Sequence, residues 1–233
     1  MHFSWEEQTI RWFTDAGTYT GFHKTLARRI IPYLEQDDTL CDAGCGIGRL
    51  DLELAPYVRS ITAVDVSENA IAALRRDAAA IGISNLCADV RDVDTMTEQF
   101  DIIILSFFGQ KNMFGLLENC CRKLIRIVAA DNKSKMYPEQ HKKCFKDTIP
   151  TVCGLLDEKG LDYKLELGKM EFGQPLRSWH DAEQFVLSNA PEASAAEVSD
   201  FLNGRIVNTG RDDFPLFLPN EKESGIFIVN KEK

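Results

Sequence analysis

Thr39-Leu40-Cys41-Asp42-Ala43-Gly44-Cys45-Gly46-Ile47-Gly48-Arg49-Leu50 leads from a short apolar run through three alternating glycines into an amphipathic segment. Such a junction reads as a strand, a tight loop and a helix start. Glycines there let the backbone pass close to a ligand, because a Cβ would block the approach and positive φ is tolerated. The helix that follows turns free N–H groups toward the loop. An anionic group of a bound small molecule is therefore expected near Gly46 and Gly48.

Outward from this loop the chain alternates. Strands are expected at 39–43, 60–66, 84–90, 100–108, 123–130 and 161–172, with a last one at 226–229. Helices or amphipathic segments are expected between them at 50–58, 68–81, 112–121 and 137–159. Residues 100–108 form the strongest strand, a continuous apolar run suited to burial on both faces of a parallel sheet. The alternation predicts an α/β fold with a doubly wound, mostly parallel, seven-stranded sheet. Residues 5–34 read as two helices broken near Asp15-Ala16-Gly17, expected to lie across the ligand edge of the sheet. Two more helices, 181–189 and 193–203, precede the last strand. The expected layout is one domain: an N-terminal helical lid (1–36), an α/β core (37–177), a helical insertion or cap (178–218) and a final strand (219–233).

Bulk properties narrow the role. The 233 residues carry a formal charge of −9 and are 44% hydrophobic. That balance argues against a nonspecific nucleic-acid binder. The seven cysteines, Cys41, Cys45, Cys87, Cys120, Cys121, Cys144 and Cys153, have no framework spacing. They point to a reduced, cytoplasmic protein. Cys41 and Cys45 lack a second ligand pair, so no metal is expected. The N-terminus has no signal-peptide pattern, and the longest apolar run is too short to span a bilayer. The Lys/Arg-rich stretch 122–146 reads as a solvated face, with an anionic-substrate surface as the alternative.

The loop spacing decides among ligands. From Gly44 the third glycine comes one residue too early for G-x-G-x-x-G, and Gly48-Arg49-Leu50 lacks the Lys-Ser/Thr ending of a P-loop. Asp42-x-Gly44-x-Gly46-x-Gly48 resembles motif I of class I S-adenosylmethionine-dependent methyltransferases, of the small-molecule type. The resemblance extends over about 39–130 and implies the Rossmann-like methyltransferase fold. It implies S-adenosylmethionine as cofactor, with S-adenosylhomocysteine as product. It also implies Asp65, at the end of the second strand, on the ribose, with Val66 beside it. Asp89 and Val90 then face the adenine, and Ser106 lines the methyl-donor side. Asp42, Gly44, Cys45, Gly46 and Gly48 form the loop around the donor's amino-acid end. Tyr19, between Gly17 and Gly21, is the candidate aromatic over the donor.

Methyl transfer is a direct displacement, and a base is needed only for an acceptor that must lose a proton early. His23, His141 and His180 are the candidate bases, with His180 singled out because Arg177-Ser178-Trp179-His180 opens the cap. Trp179 is a candidate stacking residue. The fourth strand ends Ser106-Phe107-Phe108-Gly109, without the Asn/Asp-Pro-Pro-aromatic motif of adenine or glutamine amino-group methyltransferases. The resemblance thus implies a small-molecule acceptor and a monomer or homodimer, without membrane or nucleic-acid partners. The alternatives are a non-catalytic S-adenosylmethionine-binding module and a protein or RNA methyltransferase.

Overall fold

The structure is a computed structural model that describes residues 4–109, 113–133, 135–142 and 146–231. Helices α1 (Glu7–Thr20) and α2 (Phe22–Ile30) come first, joined at Gly21, whose φ of 65° closes α1. The core then alternates through β1 (Thr39–Ala43), α3 (Arg49–Leu54), β2 (Ser60–Asp65), α4 (Glu68–Ala80), β3 (Leu86–Val90) and β4 (Phe100–Ser106). It continues through α5 (Met113–Glu118), β5 (Cys120–Ala129), α6 (Ile149–Glu158) and β6 (Tyr163–Glu171). The tail contains β7 (Gln174–Leu176), α7 (Trp179–Asn189), α8 (Ala195–Asn203), β8 (Val207–Asn208), β9 (Leu216–Leu218) and β10 (Glu221–Asn230).

Seven strands form one sheet in the order β3-β2-β1-β4-β5-β10-β6. β10 runs antiparallel to both of its neighbours, and the other pairings are parallel. The expected doubly wound α/β fold is therefore present. β4 shows why the sheet is closed on both sides. Ile102 and Ile104 pack with Leu26 and Ile30 on one face, and Ile103 and Leu105 pack with Val152 and Leu156 on the other. All four strand residues are fully buried. Ser67 caps α4 by accepting from the Ala70 N–H, as its residue type favours.

Five expectations need correction. The two N-terminal helices break at Gly21 and not near Asp15-Ala16-Gly17, which lie inside α1. The long helix at 137–159 is a short 3-10 turn at Glu139–His141 and then α6; residues 143–145 lie outside the described set. Pro150 stands in the first turn of α6, where its missing N–H costs nothing, so it marks a helix start. The helix at 112–121 shortens to α5, with Asn112 outside the described residues and Cys120 already in β5. The last strand begins at Glu221 rather than 226, because its first half is three charged residues followed by two small ones and lacks an apolar signature. The cap is also not purely helical. β7, β9 and β8 make a second, three-stranded sheet, with α7 and α8 beside it.

The cap and α1 are fastened together. Gln174 Nε2 donates to the Trp12 carbonyl at 3.1 Å, and Trp12 Nε1 donates to Asp181 at 3.0 Å. Arg11 pairs with the same carboxylate at 2.5 Å. Trp12, Leu176, Phe185, Val186, Val198 and Leu202 share one apolar cluster around this junction.

Candidate active site

The glycine loop follows β1 directly. Gly44, Gly46 and Gly48 have φ of 77°, 56° and 63°, a region that side-chain-bearing residues avoid. Each is also closed off by a different neighbour. A Cβ at Gly44 would lie 2.4 Å from the Phe108 ring, one at Gly46 2.5 Å from Trp5, and one at Gly48 2.3 Å from Leu74. The Gly44 and Cys45 N–H groups donate to the Val64 carbonyl at 2.8 and 3.0 Å, which pins the loop to the end of β2. Cys45 packs inward, and burial pushes its thiol well above its usual range. α3 is only six residues long, so its dipole contributes less than a long helix would.

Asp65 is tied into the same loop. Its Oδ2 accepts from the Gly46 N–H and its Oδ1 from the Ser67 N–H, both at 2.9 Å. A carboxylate has about four lone-pair sites, so further acceptor capacity remains on both oxygens. Beyond Asp65 the sheet edge is open. Val66 and Val90 are each 45% exposed, unusual for valines at the ends of buried strands. Their strands are in register, with Asp65 opposite Val90 and Val64 opposite Asp89. Asp89 itself is half-exposed and lies 3.9 Å from Arg75.

Asp42 lies beneath the loop, buried, and hydrogen-bonded to Asp51 of α3, which is fully buried. Burial raises both carboxyls, Asp42 to about 7 and Asp51 well above the ordinary range. Two acids this close hold one proton between them, with Asp51 as donor and Asp42 as acceptor. Asp51 was not singled out from sequence, because it occupies an ordinary position in a short amphipathic helix.

The aromatic over the loop is Trp5, not Tyr19. Trp5 reaches Gly46 and meets Phe13 edge-on at 5.2 Å. Tyr19 stacks on Phe217 at 5.1 Å and lies under Arg211, within the cap. The physical reason is local. Gly17 gives His23 room, since a Cβ there would lie 2.7 Å from its ring, and Gly21 closes α1. These glycines serve the contact between two helices.

At the tip of β4, half-buried Ser106 is followed by Phe107 with φ of 51°, a left-handed conformation that is costly for phenylalanine. Phe107, Phe22 and Phe172 surround Lys222, whose Nζ is 3.4 Å from the Phe107 centroid and 5.8 Å from each of the others. Phe22 and Phe172 are 4.5 Å apart, and Phe13 joins Phe172 at 5.2 Å. His23 is wedged among these rings, and burial lowers it to about 3, with Arg49 and Lys222 adding to the effect. It is a neutral imidazole at physiological pH.

His180 is apart from this assembly. Its side chain is 80% exposed on α7, 3.9 Å from Glu183 of the same helix. A fully hydrated imidazole has no closed site in which to take a proton from a bound acceptor. His141 lies 3.2 Å from Glu197, in the cap, and Trp179 donates to Glu183 at 3.1 Å.

Residues 40–131 match the family model of a methyltransferase domain. The chain thus carries a methyltransferase domain, of the kind that uses S-adenosylmethionine as its methyl donor. Solved structures of similar fold include the YcgJ protein of Bacillus subtilis, at a TM-score of 0.56 and 13% identity over 89% of this chain and 98% of that one. Another is magnesium protoporphyrin IX methyltransferase of Synechocystis with bound S-adenosylmethionine, at 0.54 and 14% over 99% and 100%. A third is a tRNA methyltransferase of M. jannaschii, at 0.52 and 12% over 90% and 49%. No curated protein matches the sequence. Identities this low speak for the fold alone.

Proposed function

We propose that this methyltransferase acts on a small-molecule acceptor. The observation that carries the reading is the aromatic surroundings of the β4 tip, where Phe13 and Phe22 of α1 and α2 meet Phe107 and Phe172. Such a lining suits a compact acceptor better than a polymer, and the charge of −9 disfavours a nucleic acid. No helix among the described residues is long and apolar enough to cross a membrane.

In this reading S-adenosylmethionine supplies an activated methyl group on its sulfonium. Gly44, Cys45, Gly46 and Gly48 pass their backbone beside the donor's amino-acid end. Asp65 accepts the ribose hydroxyls with the lone pairs left over from Gly46 and Ser67. Val66 and Val90 would line the adenine position, and Asp89 would accept from its amino group. Asp42 holds the loop from below through Asp51, and Ser106 lines the passage to the acceptor. The rings around Phe107 exclude water and align the acceptor for in-line attack. Neither His180 nor Tyr19 has a part in it.

The test is transfer from methyl-labelled donor into a cell extract split by ultrafiltration. Label is expected in the filtrate; label only in retained polymer would reject the small-molecule reading. Asp65→Ala is expected to weaken S-adenosylhomocysteine binding by about tenfold to a hundredfold in calorimetry, the loss expected for charge-assisted hydrogen bonds.

A further inference from the structure

Lys222 is a cation without an anion. Among the described residues it makes no ion pair, and its surroundings are three phenyl rings. The pleat of β10 explains the isolation. Glu221 and Glu223 point to the opposite face of the sheet, where both meet Lys169, at 3.5 and 2.6 Å. The groups that do face Lys222 bring no negative charge: His23 is neutral, and Lys146, whose Nζ donates to the Phe107 carbonyl at 3.1 Å, adds to the positive field. Arg126 shows the ordinary arrangement in the same sheet. It is fully buried and paired with Asp147.

The position matters as much as the charge. Lys222 is at the start of β10, which lies at the same sheet edge as the end of β4, because β10 runs antiparallel to β5. Two consecutive residues join it to the donor loop: Phe108 lies against Gly44, and Phe107 lies against Lys222. An ammonium held in apolar surroundings, beside the donor loop and short of a counter-ion, is a recognition point for a negatively charged oxygen.

We infer that Lys222 binds an anionic oxygen of the methyl acceptor, so that the acceptor is a small organic acid whose apolar body rests on Phe22, Phe107 and Phe172. This rests on the small-molecule reading above and adds the acceptor's charge to it. The same positive field disfavours a cationic ammonium group at this position. Desolvation, reinforced by Lys146, lowers Lys222 to about 7, and a bound carboxylate restores its charge.

The test uses saturation-transfer NMR and titration on the full chain loaded with S-adenosylhomocysteine, with benzoate and benzyl alcohol as probes. Benzoate is expected to bind, and more tightly than benzyl alcohol. Lys222→Met, similar in length and without charge, is expected to lose about tenfold or more in benzoate affinity, and Lys222→Arg to keep it within about threefold. S-adenosylhomocysteine affinity, measured by calorimetry, is expected to be equal in all three proteins, which also reports intact folding. Benzoate binding that is absent, no tighter than benzyl alcohol, or unchanged in Lys222→Met overturns the inference. Those results leave the small-molecule reading intact, since that reading is decided by where the methyl label goes.

Discussion

The two ends of the sheet edge are built by opposite means. The proposed donor end uses short stretches of neighbouring residues, 42–48, 65–67 and 89–90, and works largely through backbone: the Gly46 and Ser67 N–H groups on Asp65, and the Gly44 and Cys45 N–H groups on Val64. The proposed acceptor end uses side chains collected from far apart: Phe13 and Phe22 from the first two helices, Phe107 after β4, Phe172 after β6 and Lys222 in β10. Their charges differ too. The donor end buries surplus acid at Asp42 and Asp51, and the acceptor end holds surplus cation at Lys222. A backbone-built site is fixed by local conformation. A side-chain-built site exists only after the whole chain has packed.

The comparison is broken most directly at Gly44. Gly44→Val combines left-handed strain with collision against Phe108, and is expected to destabilise the fold by about 3 kcal/mol. Binding of S-adenosylhomocysteine is expected to fall by about a hundredfold or more, read by calorimetry. A mild loss would mean that the loop is not the rigid half.

A pH pair tests the opposite charges. In the donor half, Asp42 is raised from 3.8 to about 7, so the folded state holds a proton that the unfolded chain releases. That contribution is full below 3.8 and is lost as pH rises to about 7. Asp51→Asn is expected to gain melting temperature relative to the wild type across that rise. In the acceptor half, His23 falls from 6.5 to about 3, so its contribution is present above 6.5 and is lost as pH drops toward 3. His23→Phe is expected to gain relative to the wild type as the solution is acidified. Differences that stay constant with pH would remove the asymmetry. The smallest effect belongs outside both halves: His180→Ala is expected to shift stability by less than about 0.5 kcal/mol and to leave methyl transfer unchanged.

This contrast also explains what could be read from the sequence. Gly44, Gly46 and Gly48 were legible because a positive φ next to a packed neighbour demands glycine, and the demand leaves a fixed spacing. The β4 core was legible because burial on both faces demands a continuous apolar run. Asp51 was not, since its burial comes from how α3 lies on β1 rather than from any local pattern. Tyr19 misled because glycine flanks also serve helix packing, here for His23 and for the end of α1. Lys222 was hidden by the charged start of β10, which reads as a loop until its pairing with Met170 of β6 places it in the sheet. Trp5 gave no signal because nothing near it in sequence records the loop it covers.

The contact between Trp5 and Gly46 gives the protein an optical reporter of its own. Of the three tryptophans, Trp12 is buried and bonded to Asp181, and Trp179 is bonded to Glu183 on the cap surface. Only the Trp5 indole rests on the glycine loop. If the donor enters there as proposed, its arrival is expected to change ultraviolet fluorescence without any label, and Trp5→Phe is expected to abolish that change.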